Sequence, residues 1–390
     1  MRILVSAYSA DPTRGSEHAV GWEWSRAAAR NHDVWLLTRR KYAPQLEEAL
    51  RHERGLRINP VYFDMPTLSP ALERLGLQRT HYLLWQSLVR RTVVELHRRH
   101  GFDVLHHLTF ASDWAMIALT AIPDVPLIWG PVGGSTNTPL SLLRYLGPRG
   151  IVFEAGRMAP SALARYVWGD RIARRASLVV ANNKDTRRRY SYHPNIIVEP
   201  NPPIPPSPPI DDDHGAEEKT LGKRRAICVG RLVPLKGCAL ALEALTVPSV
   251  KEWSLDFYGD GPDWARLERR VDELRLRDRV RFLGKRPRQE VLRAYRSADA
   301  LLFPSFHDSS PLTVAEALTS GCPVVCLDHG GPAALVEGSG FGFCVPIRGN
   351  TAAALADALT RISGRHPPSD RWSRERLPAL LDSWYKSVVE

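Results

Sequence analysis

Short apolar runs of strand length alternate with helix-like patterns through most of the chain. Ile3–Ala7 is followed by an amphipathic segment over Ala19–Arg30 and then by Asp33–Thr38. Further strand-like runs fall at Val104–His107, Val125–Trp129 and Leu178–Ala181. A second series begins at Ala226–Val229 and continues through helix Gly237–Leu245, strand Ser254–Tyr258, helix Pro262–Leu276 and strand Val280–Leu283. Helix Gln289–Ala298, strand Ala300–Phe303, helix Leu312–Ser320 and strand Val324–Leu327 complete it. Buried strands separated by helices predict parallel sheets with helices on both faces, an α/β architecture. In such sheets ligands gather at the carboxyl ends of the strands.

The interruption between the two series is compositional. Seven prolines occupy positions 200–209, followed by Asp211-Asp212-Asp213. Proline removes a backbone donor and fixes φ, so this stretch predicts an extended spacer. It divides the chain into a domain over 1–205, a linker over 206–223, a second domain over 224–365 and a C-terminal helical segment over 366–390. Two domains suit 390 residues at roughly 100–200 residues each. Hydrophobic residues are 44 % and charged residues 24 %, an ordinary soluble composition.

Charge changes the picture. The net charge is +11, and residues 1–205 hold 27 Lys/Arg against 17 Asp/Glu. The basic surplus of the first half either solubilises it or meets an anionic surface. Residues 71–99 mix Leu72, Leu75, Leu83, Leu84, Trp85, Leu88 and Val89 with Arg79, Arg90, Arg91, Arg98 and Arg99. This basic amphipathic pattern fits either a domain helix with an apolar core face or peripheral docking on anionic lipid. Nucleic acid is a poorer partner, because interleaved stacking aromatics are lacking. No run approaches the ~18–20 apolar residues of a membrane span, and the N-terminus lacks a signal-peptide pattern. The expectation is a cytosolic protein, peripheral at most at the inner face of the membrane. Five cysteines, all in the second half, form no CxxC pair and read as small buried hydrophobes.

The strand-to-helix loops carry the candidate chemistry. Val229 runs into Gly230-Arg231 and then Lys236-Gly237, which puts a guanidinium and an ammonium where a phosphate would bind. Later, Phe303 runs into Asp308-Ser309-Ser310-Pro311-Leu312, with Glu316 inside the next helix. Ser309 or Ser310 is the expected helix cap. Carboxylates at a strand end accept hydrogen bonds from sugar and ribose hydroxyls. In the first half, Gly15 and Ser16 lie in the loop Asp11–Glu17 and offer amides to a phosphate or acceptor, although a turn and a helix start explain them equally. His106 and His107 end a strand and must point to opposite faces. Gly133 and Gly134 follow the next strand, where glycine permits close approach of an acceptor or simply a turn.

The order and spacing of Gly230-Arg231, Lys236-Gly237, Tyr258-Gly259-Asp260-Gly261-Pro262, Phe282-Leu283-Gly284, Asp308 to Glu316, Gly321-Cys322-Pro323 and Gly330-Gly331 resemble retaining glycosyltransferases of family 4. The resemblance implies the GT-B fold, two Rossmann-like domains facing across a cleft. It implies a nucleotide-sugar donor whose diphosphate is held by Arg231 and Lys236, with Gly259, Gly284, Ser309, Ser310, Pro311 and Leu312 around it. Glu316 would meet the ribose, Asp308 the transferred sugar, and one of His106 and His107 the reacting centre, with a glycan or lipid-linked acceptor at Gly133 and Gly134. It also implies no metal cofactor, the cations taking that part, and a C-terminal helix over Trp372–Val389 that packs back on the first domain. The sequence departs from the family pattern at Asp308, where a glutamate is usual. A nucleotide-sugar epimerase of the same architecture is the alternative function.

Overall fold

The computed structural model describes residues 1–53, 55–204 and 224–390. The linker prolines at 205–209 and the acidic run Asp211–Asp213 lie outside them. The described residues form two compact units. The first holds 1–135, 159–203 and 374–390, and the second holds 136–158 and 204–373.

The first unit is a parallel sheet of seven strands. They are β1 (Arg2–Ala7), β2 (Asp33–Thr38), β3 (Ile58–Tyr62), β4 (Val104–Thr109), β5 (Leu127–Val132), β6 (Leu178–Ala181) and β7 (Ile196–Val198), in the order β3-β2-β1-β4-β5-β6-β7. Every residue of β4, β5 and β6 is buried, because apolar layers cover both faces. On one face Leu4, Trp85, Val93 and Trp129 pack together; on the other Ile3, Val5, Trp24 and Trp384 do so. The sheet extends at both edges beyond the pattern read from sequence. β3 contains Pro60, which suits an edge strand because no ladder donor is needed on its outer side, and β7 is three residues long.

The second unit is a six-stranded parallel sheet. Its strands are β8 (Arg224–Val229), β9 (Trp253–Tyr258), β10 (Val280–Gly284), β11 (Ala300–Phe303), β12 (Val324–Leu327) and β13 (Gly342–Val345), in the order β10-β9-β8-β11-β12-β13. The order reverses between β8 and β11, which is the switch point where open α/β sheets place ligands. Four cysteines are buried and Cys344 is half-buried; none is in a disulfide.

Two segments fall elsewhere than the sequence boundaries put them. Residues 136–158 go with the second unit, since Leu142, Tyr145 and Leu146 enter its core and the Tyr145 hydroxyl donates to Glu243 at 2.6 Å. The C-terminal helix is Leu377–Val389, shorter than the predicted 372–389. Leu377, Leu381, Trp384 and Tyr385 pack in the first unit, whereas Trp372 lies in the core of the second beside Leu335 and Val336.

Candidate active site

At the carboxyl end of β8 the chain turns through Gly230–Val233 into the short 3-10 turn Pro234–Lys236 and the helix Cys238–Leu245. Gly237 joins the two with φ 70°, and a Cβ there would lie 2.0 Å from the Pro304 carbonyl oxygen. Only glycine fits a left-handed residue pressed against a neighbouring backbone. The loop after β8 is thereby tied to the loop after β11, and Phe306 N–H donates to Leu235 O at 2.8 Å. Arg231 and Lys236 line one hollow with Gly230, Phe303 and Pro304. Gly259 N–H donates to Gly284 O at 2.8 Å, so the ends of β9 and β10 are joined beside this loop.

Lys236 Nζ is 2.7 Å from Asp308 Oδ2, and the Ser305 hydroxyl donates to the same oxygen at 2.7 Å. The ammonium also lies over the Phe303 ring, 5.4 Å from its centre. Arg231 is exposed and has no ion pair among the described residues. Two cations thus share a strand-end hollow, one held by a carboxylate and one available. Gly331 N–H donates to Asp308 O at 2.8 Å, which pins the loop bearing Asp308 against the helix Gly330–Ser339.

The helix Leu312–Thr319 has Pro311, rather than Ser309 or Ser310, in the cap position. Proline's fixed φ and missing N–H suit a helix start. Glu316 is half-buried, and its Oε1 accepts from Arg288 Nε at 2.8 Å. Arg288, the first residue of the helix Arg288–Ser297, carried no sequence signal because it reads as a surface charge.

The histidines require a correction. His106 and His107 do face opposite sides of β4, but both are buried. His106 Nδ1 is 2.9 Å from the Tyr385 hydroxyl and Nε2 is 2.8 Å from Gly130 O. His107 Nε2 is 3.3 Å from the Tyr82 hydroxyl. Burial lowers the His106 pKa to about 4 and that of His107 to about 3, so both rings are neutral at physiological pH. Both His106 nitrogens are engaged, and His106 fastens the C-terminal helix to the central strand, whereas His107 Nδ1 is buried with no hydrogen-bond partner.

Gly133 and Gly134 also have an internal use. A Cβ on Gly134, whose φ is 122°, would lie 2.4 Å from Asp113 Oδ1. Asp113 is fully buried and pairs with Arg165 Nε at 2.9 Å; Ser135 donates to its other oxygen, and Arg165 donates to Gly134 O. Arg165 opens a π-helical turn, Arg165–Gly169. No local pattern signals this pair, whose members are 52 residues apart.

Gly15 and Ser16 stay exposed, and Ser16 has φ 59°. The next residue, Glu17, is the acid missed by sequence reading. Its Oε1 accepts from Ala111 N–H at 3.0 Å, and burial pushes its carboxyl up to about 7 from 4.5. A raised carboxyl pKa means that the fold favours the neutral form. The resulting stabilisation is complete below pH 4.5 and is lost as the pH rises through about 7. Glu17→Gln, neutral throughout, should therefore match wild type most closely near pH 4 and be more stable by about 3 kcal/mol at pH 8. Parallel stability–pH curves for the two proteins would contradict this.

Residues 209–375 match the family model described as glycosyl transferases group 1. Over this stretch, which is less than half of its length, the chain is similar to group 1 glycosyl transferases. It is 28 % identical to D-inositol 3-phosphate glycosyltransferase of Mycolicibacterium smegmatis over 75 % of this chain and 69 % of that protein. It is 32 % identical to the amylovoran biosynthesis glycosyltransferase AmsK of Erwinia amylovora, over 36 % of each chain. Several of the curated relatives are thus matched over well under two thirds of their length. Among solved structures it resembles sucrose-phosphate synthase of Thermosynechococcus elongatus, with TM-score 0.61 and 17 % identity over 99 % of this chain and 98 % of that one. Anabaena HepE in complex with UDP and glucose gives TM-score 0.56 and 18 % identity over 99 % and 100 %. The fold is GT-B.

Proposed function

We propose that the chain is a retaining glycosyltransferase of family 4, taking a sugar from a nucleoside-diphosphate sugar to a glycan or lipid-linked acceptor. The observation that carries the reading is the strand-end hollow where Lys236 meets Asp308 at 2.7 Å beside an available Arg231. Departure of a nucleoside diphosphate builds negative charge on the β-phosphate oxygen, and preorganised cations stabilise that charge. Arg231 supplies a forked set of donors and Lys236 a point charge. As Lys236 turns to the phosphates, Asp308 is released to accept hydrogen bonds from hydroxyls of the transferred sugar. Glu316, oriented by Arg288, takes the ribose.

In the transfer step the bond from the anomeric carbon to the phosphate oxygen breaks. The acceptor oxygen bonds to that carbon from the same face, and the acceptor proton passes to the departing phosphate oxygen. Gly259 and Gly284 stand with the donor loop. Solved HepE holds UDP and glucose, which supports a uridine nucleotide as the first donor to try.

No helix among the described residues is long and apolar enough to cross a membrane. The segment read as amphipathic folds into helices Leu68–Arg74, Gln78–Leu88 and Arg90–His100. Trp85, Val89 and Val93 are buried, while Leu75, Leu77, Leu84 and Leu88 remain exposed. Exposed leucines among arginines support peripheral docking on an anionic membrane.

Thermal denaturation with UDP-, GDP- and ADP-sugars tests the donor. The cognate nucleotide sugar at saturation raises Tm by mass action, and the anomeric configuration of the product, read by NMR, is that of the donor. A panel in which no nucleotide sugar stabilises the protein, or an inverted product, sinks the reading.

A further inference from the structure

The first unit contains a hollow of about 360 Å³, lined by Arg90, Arg171 and Arg175 together with Trp168, Met116 and Ile172 among its apolar residues. Its volume is within the range of small-molecule sites, roughly 300–1,000 Å³. Three arginines line it, and no carboxylate does. Arg90 begins one helix and Arg171 lies in another, Asp170–Arg175, so the charges come from separate elements. Among the described residues neither makes an ion pair. Arg175 is anchored by donating from Nη2 to the carbonyls of Ile122 and Val125, both at 2.6 Å, while its buried Nε has no partner. Arg90 and Arg175 are half-buried and Arg171 is exposed, and like charges set side by side at one hollow repel unless an anion joins them.

The remaining lining fixes the kind of anion. Trp168, Met116, Ile117 and Ile172 give the hollow an apolar wall. Its sequence neighbours are exposed and apolar as well: Leu84 and Leu88 precede Arg90, and Tyr166 and Val167 precede Trp168. A fully hydrated inorganic anion gains nothing from such walls, whereas a phosphate ester with an alkyl portion satisfies both halves of the site.

We propose that this hollow is an anion site for the phosphate of an amphiphile, with Arg90 and Arg171 holding the phosphate oxygens and Trp168 packing against the apolar part. It is separate from the donor-phosphate residues of the second unit. The site takes an anionic membrane phospholipid or a free phosphorylated amphiphile through the same contacts; only the first source rests on the docking reading above.

The test is titration calorimetry with dihexanoyl phosphatidylglycerol on the full chain and on the double variant R90A/R171A, with dihexanoyl phosphatidylcholine and inorganic phosphate as comparison probes. Wild type should bind the phosphatidylglycerol, and the double variant should bind it about tenfold or more weakly, the loss expected for charge-assisted hydrogen bonds. Trp168→Phe should retain binding and Trp168→Ala lose it. Co-sedimentation with phosphatidylcholine vesicles carrying phosphatidylglycerol separates the sources: pelleting lost in R90A/R171A assigns the membrane lipid. Binding of the short-chain probe without pelleting keeps the site and assigns a free ligand. Equal affinity in wild type and R90A/R171A, or no binding to wild type, overturns the proposal. Stabilisation by the donor nucleotide sugar should be the same in both proteins, so failure here is distinguishable from failure of the donor assignment.

Discussion

Replacing Lys236 by alanine should lower kcat roughly a hundredfold or more, the scale of losing one preorganised group that stabilises transition-state charge. The loss has two parts. The ammonium no longer meets the departing phosphate, and Asp308, 2.7 Å from it in the wild type, is left without its cation beside the same hollow. An uncompensated carboxylate repels a diphosphate, so affinity for the nucleoside diphosphate falls as well. The double variant K236A/D308N removes that repulsion and should bind the nucleotide better than K236A, while transferring sugar no faster because the hydrogen-bonding carboxylate is gone. Arg231→Ala leaves no carboxylate behind; its main effect should be a rise of about tenfold in donor KM, the worth of charge-assisted hydrogen bonds to phosphate. Steady-state kinetics and nucleotide titration read all of these. Equal nucleotide affinity for K236A and the double variant would show that the pair does not control the phosphate site.

That pair was legible in the sequence for a physical reason. Both residues sit in loops that follow buried strands, and an apolar run ending in a charged loop is a local signal. The strands Asp33–Thr38, Leu178–Ala181, Ala300–Phe303 and Val324–Leu327 have the same bounds in the fold as in the pattern, because a strand buried on both faces reads as a continuous apolar run. The edge strands β3 and β7 were not legible: only partly buried, they need no such run. Nor were β13 and the helix Gly330–Ser339 before it. That helix begins Gly-Gly-Pro, a composition that reads as a turn.

The surroundings of the histidines were not legible for a different reason. A polar ring at a strand end looks like a site, but whether it points to solvent or to a helix packed on the sheet depends on contacts 279 residues away, such as His106 with Tyr385. Glu17, Arg288 and the Asp113–Arg165 pair share this character. Each is made by a partner distant in sequence, and no periodicity records it.

The Asp113–Arg165 pair should dominate the stability of the first unit. Asp113→Ala leaves a guanidinium, 7 % exposed, without its carboxylate. Breaking a buried ion pair from one side costs about 3–5 kcal/mol, because desolvation of the remaining charge is no longer offset. Burial itself pushes the Asp113 carboxyl up, and only the opposing pull of Arg165 and the Ser135 hydroxyl keeps its charged form accessible. The wild-type pair is thus poised, and its net worth is far smaller than the cost of halving it. Asp113→Leu combined with Arg165→Met, apolar on both sides, should recover most of the loss.

Gly134→Ala reaches the same network by a different route. Its methyl would occupy space 2.4 Å from Asp113 Oδ1 at a φ of 122° that alanine disfavours. It should therefore destabilise without removing a charge. Urea denaturation of the four proteins gives the ordering: wild type and the double replacement close together, Asp113→Ala and Gly134→Ala well below. If Asp113→Ala and the double replacement were equally unstable, the cost would come from lost packing rather than from an orphaned charge, and Gly134 would owe its identity to backbone conformation alone.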